Sequence, residues 1–215
     1  MDEYQVDREW MVEQQIALRG VKDERVLDAM RKIPRHLFIP LEARRLAYSD
    51  SPVGIGSGQT ISQPYIVGLM TALLDVERHH KVLDVGTGSG YQAAVLGELA
   101  AEVHSIERHP ELAEEAEKTL TRLGYDHIHV HVGDGTQGYS PCALYDRIIV
   151  AAAAPSVPDA LLNQLASGGR LIIPVGNRFS QRLEIWEKTE DKVTHTSNIP
   201  VVFVPLIGEN GWESL

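Results

Sequence analysis

The chain has 215 residues, 43% hydrophobic and 23% charged, with a formal net charge of −10 and a pI near 5.3. That length suits one domain with a full core, no apolar run reaches the roughly 20 residues a membrane crossing needs, and the acidic start MDEYQVDREW resembles no signal or transit peptide. The acid excess argues against a broad phosphate-binding surface and so against a nucleic-acid partner, and the lone Cys142 excludes an internal disulfide and fits a reducing cytoplasm.

The first 50 residues read as helical. Val6, Trp10, Ala17 and Leu18 fall near one helical face, with Gly20 as a stop. DERVLDAMRKI follows, with Asp23 as its cap and Pro34 as its end. IPRHLFIP then brackets an apolar patch between two prolines. The stretch GIGSGQTISQP, residues 54–64, is rich in glycine and hydroxyl side chains, as solvent loops are. Yet it runs straight into PYIVGLMTALL, an apolar helix opened by Pro64. His79 and His80, beside Arg78 and Lys81, lack a third ligand at metal spacing and read as a solvated connector, so no metal is expected.

From Lys81 the pattern changes. KVLDV, EVHSIE, IHVHV, RIIVA and RLIIPV are strand-like runs, separated by the helical stretches YQAAVLGELA, PELAEEAEKTLTRLG and PDALLNQLA. Strands alternating with helices at this spacing imply βαβ units and a parallel sheet covered on both faces. Beyond Gly176 the helices stop, and RLEIWEK, VTHTSNI and VVFVPLI read as short antiparallel strands extending one edge. The expected fold is α/β: a doubly wound, mostly parallel sheet with a helical N-terminal annex and antiparallel C-terminal strands. One domain is expected over 1–215, with the annex and loop in 1–75, the βα core in 76–176 and the last strands in 177–215. The closing GENGWESL is left open between a loose tail and a flap over the site.

Open parallel sheets bind ligands outside the carboxyl ends of their strands. Three acids stand there: Asp84 near the end of the first core strand, Glu107 at the end of the second, Asp134 just past the third. The glycines decide what they face. A dinucleotide fingerprint needs glycine where Tyr91 stands, and a P-loop needs a Gly-Lys-Ser/Thr that is absent. The actual spacing, Asp84-x-Gly86-x-Gly88-x-Gly90, makes a tight turn without a phosphate grip. An acid about 20 residues further on, Glu107, can accept two ribose hydroxyls. The implied ligand carries an amino group, a ribose and a base.

VLDVGTGSGY with Glu107 and GDG at 133–135 resemble the class I S-adenosylmethionine-dependent methyltransferases. That resemblance implies a Rossmann-like methyltransferase fold, with S-adenosyl-L-methionine as cofactor and S-adenosyl-L-homocysteine as product. It implies that Gly86, Thr87, Gly88 and Gly90 line the methionyl part and Glu107 binds the ribose. Asp134 and Gly135 would lie at the adenine, and Asp84 would organise the amino end.

Enzymes that methylate base or amide nitrogens often carry an Asn/Asp-Pro-Pro-aromatic motif after the fourth strand. This chain has AAAAPSVPD there. The alanines read either as a smooth wall that admits a backbone or as a packing seam. A carboxylate acceptor, with a pKa near 3.9, is already anionic at neutral pH and needs no general base. Gln59, Thr60 and Ser62 could orient it beside a helix N-terminus; Ser62 could equally be the cap of that helix.

A closer resemblance covers nearly the whole chain. IPRHLFIP, YSDSPVGIGSGQTISQPYIV, LDVGTGSGYQAAVL, YDRIIVAAAAPSVPDALLNQLASGGRLIIPVG and VVFVPL, in this order, are similar to protein-L-isoaspartate O-methyltransferases. The resemblance implies methyl esterification of the free α-carboxylate of isoaspartyl residues in damaged proteins and peptides, followed by collapse to a succinimide. It makes Ser62 the active-site serine, places Gln59, Thr60 and Ile61 near the cofactor, and puts Ala152, Ala153, Ala154 and Pro155 near the substrate backbone. Val202 stands where many bacterial relatives have arginine, and Val53-Gly54 replaces a more usual Leu/Pro-type pair. Other methyl acceptors, and cofactor sensing without transfer, remain the competing readings. A monomer is the working expectation for oligomeric state.

Overall fold

The computed structural model describes residues 3–213. Strands run from β1 (Val53–Gly56) and β2 (Gln59–Ile61) through β3 (Lys81–Val85), β4 (Glu102–Glu107), β5 (Ile128–Val132) and β6 (Tyr145–Val150) to β7 (Leu165–Asn177), β8 (Ser180–Lys188) and β9 (Val193–Val201). The helices are α1 (Gln5–Trp10), α2 (Glu24–Lys32), α3 (Pro64–Leu74), α4 (Tyr91–Gly97), α5 (Pro110–Arg122) and α6 (Asp159–Asn163). β1 and β2 form a separate hairpin, and the other strands make one sheet in the order β5-β4-β3-β6-β7-β8-β9. β3 to β7 pair in parallel, and β8 and β9 continue that edge antiparallel. This is the expected doubly wound sheet with its antiparallel end. The order reverses between β3 and β6, so the crevice at their carboxyl ends is where such a fold accepts a ligand.

The core strands are buried because they carry apolar side chains on both faces. Val82, Val103, Ile149 and Ile172 join the annex in one hydrophobic cluster, while Leu83, Val85, Ile148 and Leu171 belong to a second. Asp23 caps α2 by accepting the Arg25 N–H at 3.0 Å, and Gly20 ends the first helical segment in the left-handed region.

That first segment departs from a simple helix. It is α-helical only over α1, widens to a π-helix over Met11–Ile16, then tightens to a 3₁₀ turn over Ala17–Arg19. A π turn carries i→i+5 bonds, so the face drawn through Val6, Trp10 and Leu18 slips outward. Those three side chains are exposed, and Met11, Val12, Gln15 and Ile16 are buried in their place.

Two later expectations also shift. PDALLNQLA yields only the short α6, because β7 starts at Leu165 opposite Tyr145. VVFVPLI is not a strand: β9 ends at Val201 and the chain turns back over the carboxyl edge of the sheet. There the Ala153 N–H donates to the Val204 carbonyl and the Leu206 N–H to the Ala153 carbonyl, both at 2.8 Å. GENGWESL continues this return path as far as it is described; Ser214 and Leu215 lie outside the described residues. Among the described residues no helix is long and apolar enough to cross a membrane.

Arg35, inside the IPRHLFIP patch, has 0% exposure. Its Nε donates to the Ala47 carbonyl at 2.8 Å and its Nη2 to the Ser62 carbonyl at 2.7 Å. The guanidinium carbon stands 4.7 Å from the centre of the Tyr91 ring. Burial pulls its pKa down to about 10, which still leaves it charged at neutral pH. A buried polar atom deprived of its partner costs roughly 1–3 kcal/mol. Replacing Arg35 with methionine strands two carbonyls and is expected to lower unfolding stability by roughly 2–4 kcal/mol, measured by urea denaturation.

Candidate functional site

The carboxyl ends of β3 and β4, the turn after β6, the β2–α3 loop and the returning tail enclose one cleft. Its floor is the glycine loop. The Gly86 and Thr87 N–H groups both point at the Ile106 carbonyl, at 2.9 and 3.3 Å, and the Gly90 N–H closes onto the Thr87 carbonyl at 2.8 Å. Gly86 holds φ +94°, in the region that disfavours side chains, with Ala151 3.6 Å from where a Cβ would stand. Backbone and ligand can therefore approach closely there. Gly90 serves as the N-cap of α4.

The three acids take three different environments. Glu107 lines the cleft. Its Oε2 accepts the Gly88 N–H at 2.9 Å and its Oε1 the His109 N–H at 3.0 Å. Each oxygen keeps acceptor capacity for a hydroxyl. Asp84 has no exposure and does not line the cleft. Its Oδ2 accepts from the Ser105 hydroxyl at 2.8 Å, and that hydroxyl lies 2.6 Å from Thr87 Oγ1. Asp84 Oδ1 has no partner, and burial pushes the carboxyl pKa up to about 7.

Asp134 is likewise off the cleft wall. One oxygen caps the turn Gly135–Gln137, taking the Thr136 N–H at 2.9 Å and the Thr136 hydroxyl at 2.7 Å. The other accepts the Glu209 N–H at 2.8 Å, and Gly208 packs so tightly on this carboxylate that a Cβ there would collide with it. Asp134 thus ties the returning tail to the sheet, and its neighbour Gly135 forms the wall. Any side chain at Gly135 would meet Val85 at 2.6 Å. Of the residues assigned to the cofactor from sequence, Gln59, Thr60, Ile61, Gly86, Thr87, Gly88, Glu107 and Gly135 line the cleft; Asp84, Gly90 and Asp134 stand outside its lining.

Ser62 lines both this cleft and a second groove beside it. It is not the cap of α3: that position belongs to Gln63, and no side chain caps the helix. Arg35 holds the Ser62 carbonyl, while the Ser62 hydroxyl hydrogen-bonds to no described residue. The alanine run divides. Ala151 and Ala152 line the cleft. Ala153 and Ala154 spend their backbone groups on the tail and on β7, and Pro155, though exposed, lines neither space. Ala151 and Phe203 line both spaces and went unassigned from sequence. Their signal was present in AAAAP and VVFVPL. Arg108 and His109, also on the wall, carried no signal beyond following Glu107.

Among the described residues one trio could offer ligand atoms to a metal, Glu77, His79 and His80. His80 Nδ1 already accepts the Glu77 N–H at 2.9 Å, which places the ring proton on Nε2 and leaves that ring without a spare lone pair.

A family model, protein-L-isoaspartate(D-aspartate) O-methyltransferase, matches residues 6–211. A protein-L-isoaspartate O-methyltransferase of Methanoculleus marisnigri is 56% identical over 96% of this chain and 94% of its own length. One from Syntrophobacter fumaroxidans is 53% identical over 99% of this chain and 100% of its own. Among solved structures, a Plasmodium falciparum protein of the same description, in complex with S-adenosyl-L-homocysteine, superposes with a TM-score of 0.82 at 26% identity, covering 93% of this chain and 98% of that one. The fold superposes on that structure over nearly its whole length, and the chain belongs to the protein-L-isoaspartate(D-aspartate) O-methyltransferase family.

Proposed function

We propose that Ser62 holds the free α-carboxylate of an L-isoaspartyl residue at the mouth of the cofactor cleft, where this chain transfers a methyl group to it from S-adenosyl-L-methionine. The observation that carries the assignment is the uncommitted Ser62 hydroxyl at the junction of cleft and groove. The cleft's residues fit the cofactor. Glu107 keeps acceptor capacity for two ribose hydroxyls, Gly86 and Gly88 allow close approach, and Asp84 carries an unpaired buried oxygen that a nearby cation would stabilise.

S-adenosyl-L-methionine supplies an electrophilic methyl group on a positively charged sulfur. The chain's own residues have a positioning task. The acceptor is anionic at neutral pH, so no side chain has to remove a proton. Ser62 donates to one carboxylate oxygen and leaves the other for attack. The N-terminus of α3 next to it favours the negative charge until transfer neutralises it. Arg35 and the β1–β2 hairpin fix the height of Ser62, so the rate gain comes from orientation rather than acid–base chemistry. The resulting ester is open to attack by the next backbone nitrogen. That step expels methanol and closes a succinimide, which water can open to aspartate.

The partners in this reading are isoaspartyl proteins and peptides. A net charge of −10 speaks against nucleic acid, and the single cysteine supports a cytoplasmic setting. A monomer completes the reading.

The deciding assay uses methyl-labelled cofactor and two peptides that differ only in an aspartyl or isoaspartyl linkage. Alkali-labile label on the isoaspartyl peptide alone is expected; label on both, or on neither, sinks the reading. Ser62→Ala should cut kcat by about tenfold or more, the worth of one well-placed hydrogen bond, with cofactor affinity unchanged by titration calorimetry. Glu107→Ala should weaken cofactor binding by roughly 10–100-fold, the cost of losing charged hydrogen bonds.

Asp84 gives a pH signature. Its pKa of about 7 in the free protein means that a cationic cofactor, favouring the carboxylate, displaces a proton. Affinity should therefore rise from pH 6 to pH 8, and Asp84→Asn should flatten that slope in calorimetric titrations.

A further inference from the structure

The groove that meets the cleft at Ser62 encloses about 730 Å³. It passes between the start of α3 and the end of β9, and shares Thr60, Ser62, Ile66, Ala151, Phe203 and Val204 with the cleft. Most of its wall is apolar or uncharged. Arg19 is the single charged side chain among the described residues that line it.

Arg19 is held in place. Its guanidinium carbon lies 3.6 Å from the centre of the Tyr65 ring, and Tyr65 is itself a wall residue in the first turn of α3. Arg19 Nη1 donates to Asp50 Oδ2 at 2.6 Å. Asp50 does not line the groove, so it braces the cation from outside. Arg19 Nε and Nη2 hydrogen-bond to no described residue. A planar group stacked on an aromatic face, with one nitrogen committed and two donors uncommitted, is pre-organised to bind a carboxylate. On a chain of net charge −10, this cation sets the local sign of a groove that lacks acids among its described lining residues.

We propose that Arg19 is a specificity residue that favours acceptor peptides carrying an acidic side chain close to the isoaspartyl residue. The inference rests on the reading of Ser62 as the acceptor site, because that reading makes the adjoining groove the path of the peptide. The contact is remote from the reacting oxygen and persists unchanged through transfer, so it acts on KM and leaves kcat alone. The Arg19 side chain is 42% exposed, so its pairing is screened by solvent and weak. An effect of about two- to fivefold in KM is expected, shrinking at high salt.

The test is a set of isoaspartyl peptides identical except for glutamate, glutamine or lysine at each of the three positions before and after the isoaspartyl residue. At one or more positions the glutamate peptide should show the lowest KM and the lysine peptide the highest. Arg19→Gln should erase that order while keeping kcat on the all-neutral peptide and the affinity for S-adenosyl-L-methionine. Arg19→Glu should reverse it. Equal KM for glutamate and lysine at every position in the unaltered protein, or an order that survives Arg19→Gln, overturns the proposal. If no peptide is methylated, the reaction reading falls separately. The charge order is then read from equilibrium binding of the same peptides by fluorescence anisotropy, with the same two outcomes.

Discussion

A single buried cation, Arg35, organises the working half of this molecule. A guanidinium removed from water needs acceptors inside the fold, and with no carboxylate among its described partners it gives Nε and Nη2 to backbone carbonyls and leaves Nη1 without one. The two it takes, Ala47 and Ser62, flank the β1–β2 hairpin. Between them the hairpin pairs Val53 with Ile61 and Gly54 with Thr60 and buries Val53, Ile55 and Ile61. Three apolar side chains thereby anchor a loop of glycine and hydroxyl residues in the core. The same guanidinium lies over Tyr91, the first residue of α4. One group therefore registers the β2–α3 loop against the glycine loop, and the position of Ser62 on the cleft wall is set by core packing.

The carboxyl edge of the sheet shows how environment divides similar residues among tasks. Asp84, Glu107 and Asp134 end successive units of one repeating pattern. Glu107 is steadied by two backbone N–H groups and reaches the cleft. Asp84 is sealed behind it, with a single hydroxyl partner and a carboxyl group pushed toward neutrality by burial. Asp134 is saturated by its own turn and by the tail. The latch at Asp134 fixes the tail at Glu209, while the Phe203 N–H, donated to Gln181 Oε1 at 2.9 Å, holds Phe203 where it lines the cleft and the groove at once.

Much of this was legible in the sequence, where local rules and the global fold coincide. The alternation of apolar runs with capped helices fixes a parallel sheet, and a switch point follows from it. The glycine spacing, with an acid about 20 residues on, marks the ligand class. The failures have physical causes. A π-helix changes the hydrophobic period without altering composition, so Trp10 looked buried and Met11 did not. VVFVPLI has the composition of a strand, but beyond Val201 its bridges are isolated, Pro205 to Ala153 and Ile207 to Trp212, and isolated bridges give no periodic signal. The burial of Arg35 was invisible because arginine is usually exposed, and only a fold that brings two carbonyls and an aromatic face together makes its burial tolerable. Ala153 and Ala154 could not be separated from Ala151 and Ala152 by type, since the difference lies in which way the edge backbone bonds.

The site finally has to reconcile two opposite charges. The cofactor is cationic at the reacting sulfur, and the acceptor is an anion, so a single field cannot favour both. The molecule separates them in space. Acids stand on the cofactor side, with Glu107 on the wall and Asp84 behind it. The groove proposed for the acceptor has no acid among its described lining residues and meets the cleft at neutral groups, among them Thr60, Ser62 and Ala151. A hydroxyl suits this boundary better than a charge would. A lysine at Ser62 would repel the sulfonium, and an aspartate would repel the acceptor, each at a few ångströms in a partly desolvated space where such terms are large. Serine can donate one hydrogen bond to the carboxylate without disturbing the field on the other side. On the proposed assignment of Ser62, the neutrality of the contact residue follows from the reaction's charge pattern, and the buried cation that positions it acts through a carbonyl, away from the reacting atoms.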